Sequence, residues 1–298
     1  MDKLARISAA AAVLARVKPQ EPGSIGAHRR GNSMATRTHA ASYHFSPLSS
    51  TERCQTSATS ECPCALGPSI ASADIPAGRY LWEDLELSSI NVLNLTGLSA
   101  SLKHAVIAAR ADQEGGSDRI PPQHRLYAAA TARPEVRTIC EVGFNGGQSA
   151  LVWLVAAPRA RVIMFDLGMH AAVDVALGWL RAHPLLNAAS RLELHRGDSN
   201  KTVLRFAQEN PQTKCDVISI DGGHSEAHAL ADLRNFQLLA RPCCNLGLID
   251  DTPFTPSAQR SYVIGPRRAY RRMQREGHVC TWLNLVQSVR GVTVFQYR

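Results

Sequence analysis

Five short apolar runs in succession, separated by stretches of helical periodicity, constrain this chain more than any other feature. The runs fall at 136–142 (VRTICEV), 161–165 (RVIMF), 191–196 (RLELHR), 215–220 (CDVISI) and 245–250 (NLGLID). Between them, about 148–157, 170–182, 200–209 and 225–240, apolar residues recur at the helical period. Strands alternating with helices of this length predict βαβ units: an α/β, doubly wound, Rossmann-like parallel sheet with helices on both faces. The chain end breaks the pattern. Pro266 marks a helix start and Gly277 its stop, after which HVCTWLNLV and GVTVFQYR read as two strands joined around 288–291. The expected sheet is mostly parallel, with a C-terminal antiparallel hairpin.

Composition sets the remaining bounds. With 298 residues, 45% hydrophobic and 19% charged, the chain can bury a core and is not disordered throughout. No run of 18 apolar residues exists, so no membrane span is expected. Residues 1–75 are rich in Ala, Ser and Thr and open with MDKLARISAAAAVLARVK. That acid-poor, Arg-bearing texture fits either an organellar transit peptide or a disordered tail. Residues 76–134 read as an N-terminal helical cap, with one or two helices in 80–110 and another after Pro121-Pro122; residues 135–298 form the main domain. The net charge of +8 divides unevenly: +3 in 1–75, −2 in 76–257 and +7 in 258–298. The eight cysteines show no repeated CxxC and no zinc spacing. They are expected to be reduced thiols in an intracellular protein, cytoplasmic or organellar.

Chemistry concentrates at the strand ends. Glu141-Val-Gly143-Phe-Asn145-Gly146-Gly147-Gln-Ser149 follows the first run and opens a helix. Glycines there permit a sharp turn and close approach of backbone to ligand, and the helix start presents free N–H groups. Asp166 ends the second run, Asp198 and Ser199 follow the third, Asp221 ends the fourth, and Asp250-Asp251 end the fifth. In open parallel sheets, ligands bind outside the carboxyl ends of the strands. Acids at five successive strand ends point to one site.

Taken together, ICEVGFNGGQSA, VIMFDLG, HRGDS, VISIDGGHSEAHALADL, LIDDT and GPRRAYRRMQREGHV resemble a class I S-adenosylmethionine-dependent methyltransferase. The likeness is closest to the methyltransferase-24 type, similar to catechol O-methyltransferase-like enzymes of small molecules. The resemblance covers residues 136–297 and implies a seven-stranded sheet. It implies that Glu141, Gly143, Phe144, Asn145, Gly147 and Ser149 hold the methionine end of S-adenosylmethionine, with Asp221 bordering it. By the same likeness Asp166 takes the ribose hydroxyls, and Asp198 with Ser199 lies by the adenine.

Methyl transfer to oxygen is an in-line displacement that needs a deprotonated, positioned nucleophile. A divalent cation or a general base can supply it. Asp221, Asp250 and Asp251 offer hard oxygen ligands suited to Mg²⁺, and metal-dependent relatives carry carboxylate or amide ligands at the matching positions. His224 stands three residues after Asp221, where the catechol-type relatives have a catalytic lysine, and is the candidate base. His228, Glu226 and Asp232 read as helix-surface or structural residues. Loop 252–265 is a candidate substrate wall, and Trp82 with the 80–110 helices a candidate cover. The expected partner is a small-molecule acceptor, with a homodimer left open. Competing readings are a metal-independent methyltransferase, a nicotinamide-dependent oxidoreductase, and an RNA-modifying enzyme using Arg267, Arg268, Arg271, Arg272 and Arg275. Only Tyr270 is aromatic in that Arg-rich helix, which disfavours nucleic acid.

Overall fold

The computed structural model describes residues 43–45, 54, 92–113, 116–117, 121–252, 261–287 and 290–298, all within the unit formed by residues 41–298. In chain order the elements are β1 (Tyr43–Phe45), α1 (Val92–Ala108), α2 (Pro121–Thr131), β2 (Thr138–Val142), α3 (Gln148–Ala156), β3 (Arg161–Asp166), α4 (Ala172–Ala182) and α5 (Ala188–Arg191). They continue with β4 (Leu192–Arg196), α6 (Ser199–Glu209), β5 (Val217–Ile220), α7 (Glu226–Leu239), β6 (Leu246–Ile249), α8 (Ser261–Arg275), β7 (Val279–Gln287) and β8 (Arg290–Tyr297).

The predicted alternation is the observed one. Sheet order is β1-β7-β8-β6-β5-β2-β3-β4. The run β4, β3, β2, β5, β6 is parallel, and β8 and β7 close it antiparallel. Side-chain direction along each strand explains the near-continuous apolar runs. On β3, Val162 and Met164 join a core with Leu102, Tyr127, Leu151 and Trp153 on one face. Ile163 and Phe165 join Phe206, Phe236, Tyr270 and Phe295 on the other. Both faces are covered by helices, so neither tolerates a polar stripe. Strand order reverses direction between β2 and β5, which opens a crevice at their carboxyl ends.

Three features depart from expectation. First, α8 begins at Ser261, and Pro266 sits inside it. Gly265 explains the earlier start: a Cβ there would lie 2.1 Å from the His224 carbonyl oxygen, so the first turn docks directly on the loop after β5. Second, Tyr43–Phe45, within the stretch read as a leader, pairs antiparallel with Leu285–Gln287 of β7. This adds an eighth strand to the seven expected. Third, the reduced-thiol expectation is overturned. Cys54 is bonded to Cys280 and Cys140 to Cys215, while Cys243 and Cys244 are also disulfide-bonded. Cys140 on β2 and Cys215 just before β5 belong to neighbouring strands, close enough to bridge. The intracellular assignment that leaned on free thiols loses that support. Trp82, residues 1–42 and the lid segment 253–260 lie outside the described residues. No described helix is long and apolar enough to cross a membrane.

Candidate active site

The site is built on the turn between β2 and α3. Gly143 has φ +102°, and a Cβ on it would lie 2.1 Å from the Asp221 carbonyl oxygen. Only glycine lets the end of β2 come this close to the end of β5. Asp166 fastens the turn. One carboxylate oxygen accepts the N–H groups of Phe144 and Asn145, each at 2.9 Å, and the other accepts Gly168 N–H at 2.6 Å. A carboxylate has about four acceptor positions, so one is left to face a ligand.

Glu141 lies beneath this turn, 1% exposed. Its oxygens accept Ser149 Oγ–H at 2.8 Å, Trp153 Nε1–H at 2.8 Å and Ser219 Oγ–H at 2.9 Å. Burial outweighs these donors and raises its pKa to about 7. The folded state therefore binds the proton more tightly than the unfolded chain. The stability it contributes is full below the unfolded pKa near 4.5 and is lost as pH rises toward 7. Glu141→Gln keeps the shape and cannot ionise. Its stability relative to the parent protein is expected to rise by about 2–4 kcal/mol between pH 4.5 and 7.5, measured by urea unfolding. A difference that does not change with pH would show that Glu141 does not titrate in this range.

Two adjoining cavities open on the carboxyl ends of the strands. The larger, about 620 Å³, is lined by Asp166, Leu167, Met169, Asp198, Ser199 and His228 among others. The smaller, about 220 Å³, is lined by Gln123, Ser149, Asp250, Asp251, Tyr262 and Arg290 among others. Both are bordered by Gly143, Asn145, Asp221 and His224. Asp221 and His224 thus stand where a group in one cavity meets a group in the other.

The meeting point is strongly acidic. Ligand atoms of Asp221, His224 and Asp251 lie within 4.8 Å of one another, and His224 Nδ1 is 3.4 Å from Asp251 Oδ2. Asp251 has φ +53°, rare for a residue with a Cβ. Its Oδ1 is buried without a hydrogen-bond partner. Burial, then Asp250, push its pKa up to about 7. Asp221 opens onto the cavity yet is packed round by protein, and its pKa is raised by burial and then by Asp250 and Asp251. Asp250 differs. One oxygen accepts Gln123 Nε2–H and the other the Asp251 N–H, both at 2.8 Å.

Residues 140–252 match the family model of a methyltransferase domain, the methyltransferase-24 family. The chain carries a methyltransferase domain. Solved structures share the fold. An O-methyltransferase from Bacillus cereus in complex with SAH is 18% identical, with 66% of this chain and 90% of that chain covered and a TM-score of 0.53. The O-methyltransferase TomG from Streptomyces achromogenes, in complex with SAM, is 18% identical over 67% of this chain and 88% of that one, also with a TM-score of 0.53. A sequence search of curated proteins gives no match.

Within the methyltransferase, most of the expected residues converge. Gly143, Asn145, Asp166, Asp198, Ser199 and Asp221 border the larger cavity, and Phe144 and Ser149 the smaller. Asp198 also caps α6, accepting the Asn200 N–H at 3.1 Å. Two expectations change. Glu141 lines neither cavity, because its carboxylate is taken by internal donors. Gly147 lines neither, because it is turned against Ala176 and Leu180 as the cap of α3. Of the expected trio, Asp221 and Asp251 cluster with His224, while Asp250 lines the same cavity with its carboxylate held by Gln123 and a backbone N–H.

Gln123, Tyr127 and Arg290 were not legible as site residues, whereas Tyr262 falls in the 252–265 loop expected to wall the substrate. Gln123 and Tyr127 come from α2, and Tyr127 is stacked 4.7 Å from Trp153. The pattern at 121–131 announced a helix but not which strand end it would cover. In the Arg-rich α8, Arg272 pairs with Glu276 at 2.8 Å and Arg268 stands 3.9 Å from Glu226.

Proposed function

We propose that this protein methylates a hydroxyl oxygen of a small molecule, with the donor in the larger cavity and the acceptor in the smaller. The carrying observation is that the two cavities share Asp221 and His224. The acid-lined larger cavity suits a nucleoside with a sulfonium cation. Asp166 faces where ribose hydroxyls would donate. Leu167 and Met169, 58% and 74% exposed, offer apolar surface to an adenine ring.

In this reading the acceptor hydroxyl gives its proton to His224, and Asp251 stabilises the resulting imidazolium. The oxygen lone pair attacks the sulfonium methyl in line, so a C–O bond forms as the C–S bond breaks, leaving S-adenosylhomocysteine. The orphaned Asp251 oxygen and the crowded carboxylates suit a divalent cation such as Mg²⁺. Asp221 and Asp251 would hold it, with His224 adjacent. Such a cation, when bound, would lower the pKa of the hydroxyl.

The test is calorimetric titration with S-adenosylhomocysteine. Binding is expected, and Asp166→Ala should weaken it roughly 10- to 100-fold, the scale of one charge-assisted hydrogen bond. A folded protein that takes up no S-adenosylhomocysteine sinks the proposal. Labelled-methyl transfer to phenols, hydroxy acids and amines then separates oxygen from nitrogen acceptors.

A further inference from the structure

The smaller cavity contains a feature that proton removal and cation binding leave unexplained. Arg290 points a permanent positive charge into a space otherwise walled by Asp221, Asp250 and Asp251. Its guanidinium lies over the Tyr262 ring, 5.5 Å from the centroid. Among the described residues no carboxylate lies within ion-pairing distance of it. Tyr262 Oη is buried without a partner of ideal hydrogen-bonding geometry, yet, against the effect of burial, its hydroxyl interacts with the Arg290 guanidinium and raises that group's pKa. Tyr262 thus holds the arginine through both its ring and its hydroxyl, with Asp250 and Asp251 attracting it from further off, and no ion pair among the described residues takes up the rest of its donor fork. A planar fork of this kind matches a carboxylate with two parallel hydrogen bonds, which a lysine could not.

We propose that the acceptor is a hydroxy acid whose carboxylate docks on Arg290 and Tyr262 while its hydroxyl faces His224. This rests on the methyl-transfer reading above and deepens it. The Tyr262 and His224 rings are 6.0 Å apart, so the carboxylate and the hydroxyl are separated by a short chain or one small ring. The acids of the cavity would repel such an anion without Arg290, and the arginine offsets them on the side away from the sulfonium.

The experiment titrates the full-length protein, loaded with S-adenosylhomocysteine and Mg²⁺, with three matched pairs. These are 2-hydroxybenzoate, 3,4-dihydroxybenzoate and 2-hydroxy-3-phenylpropanoate, each against its primary amide. At least one acid is expected to bind tenfold or more tightly than its amide. Arg290→Gln should shrink that ratio below twofold while leaving the S-adenosylhomocysteine affinity within twofold. Arg290→Lys, which keeps the charge, should recover part of the ratio. Amides binding as well as acids in all three pairs overturns the proposal. So does a loss of S-adenosylhomocysteine affinity in Arg290→Gln, which would assign the arginine to the donor's own carboxylate. If the parent protein fails to bind S-adenosylhomocysteine at all, the methyl-transfer reading has failed first, and this proposal with it.

Discussion

Asp221→Asn is expected to lower methyl transfer by roughly two to four orders of magnitude, the range for losing a group that activates the nucleophile, while the fold holds or gains stability. The two effects have one cause. Asp221 opens onto the cavity, and partial desolvation there, then the neighbouring Asp250 and Asp251, push its carboxyl toward the neutral form. Removing its charge relieves repulsion, so the melting temperature should not fall. The same removal strips the meeting point of a carboxylate that a cation or a developing imidazolium needs. Chelation separates these roles. If a cation acts, EDTA should suppress the parent enzyme and Mg²⁺ restore it, while Asp221→Asn should respond to neither. Parent activity indifferent to EDTA would leave His224 as the sole device. An Asp221→Asn enzyme with unchanged turnover would remove the cluster from the chemistry altogether.

Reduction of the disulfides is the other large expected effect. Cys54–Cys280 spans 226 residues and Cys140–Cys215 spans 75. Closing loops of that length removes entropy from the unfolded chain, on the order of 3–5 kcal/mol for one bridge. Cys54→Ser/Cys280→Ser should therefore melt roughly 10 °C lower in oxidising buffer, given the sensitivity of a domain this size. Dithiothreitol should lower the parent protein toward the variant. Thiol titration of the unreduced, denatured parent chain should find none of the six described cysteines free. A full complement of thiols, with a melting point indifferent to reductant, would falsify the pairing.

The fold was legible because the periodicities that specify it are local. Each of β2 to β6 is a run short enough to be a strand and apolar enough to be covered twice, and Pro and Gly mark several ends. The strand-end residues that border the larger cavity were legible for the same reason: Gly143, Asp166, Asp198 and Asp221 sit at strand ends, and sheet topology collects strand ends. The contacts that complete the smaller cavity were not. Gln123 reaches Asp250 across 127 positions, and no local pattern encodes that contact. Arg290 is one arginine at a hairpin, overshadowed in the sequence by five on α8. His224 joined Asp251 because Gly265 docks α8 on its loop, which depends on a missing Cβ. The cysteines misled for a related reason: disulfide partners are set by strand adjacency, and spacing along the chain does not report it.

The pairing of Tyr43–Phe45 with β7 has a consequence for how the chain can be matured. Without that segment β7 would present an unpaired strand edge, a template for unwanted association. Cys54, bonded to Cys280 and donating its N–H to the Thr281 carbonyl at 3.0 Å, fastens the same stretch a second time. Any proteolytic trimming of the N-terminus that leaves the enzyme intact must stop before Tyr43. The mature protein would then keep some thirty residues that composition alone would have discarded as leader.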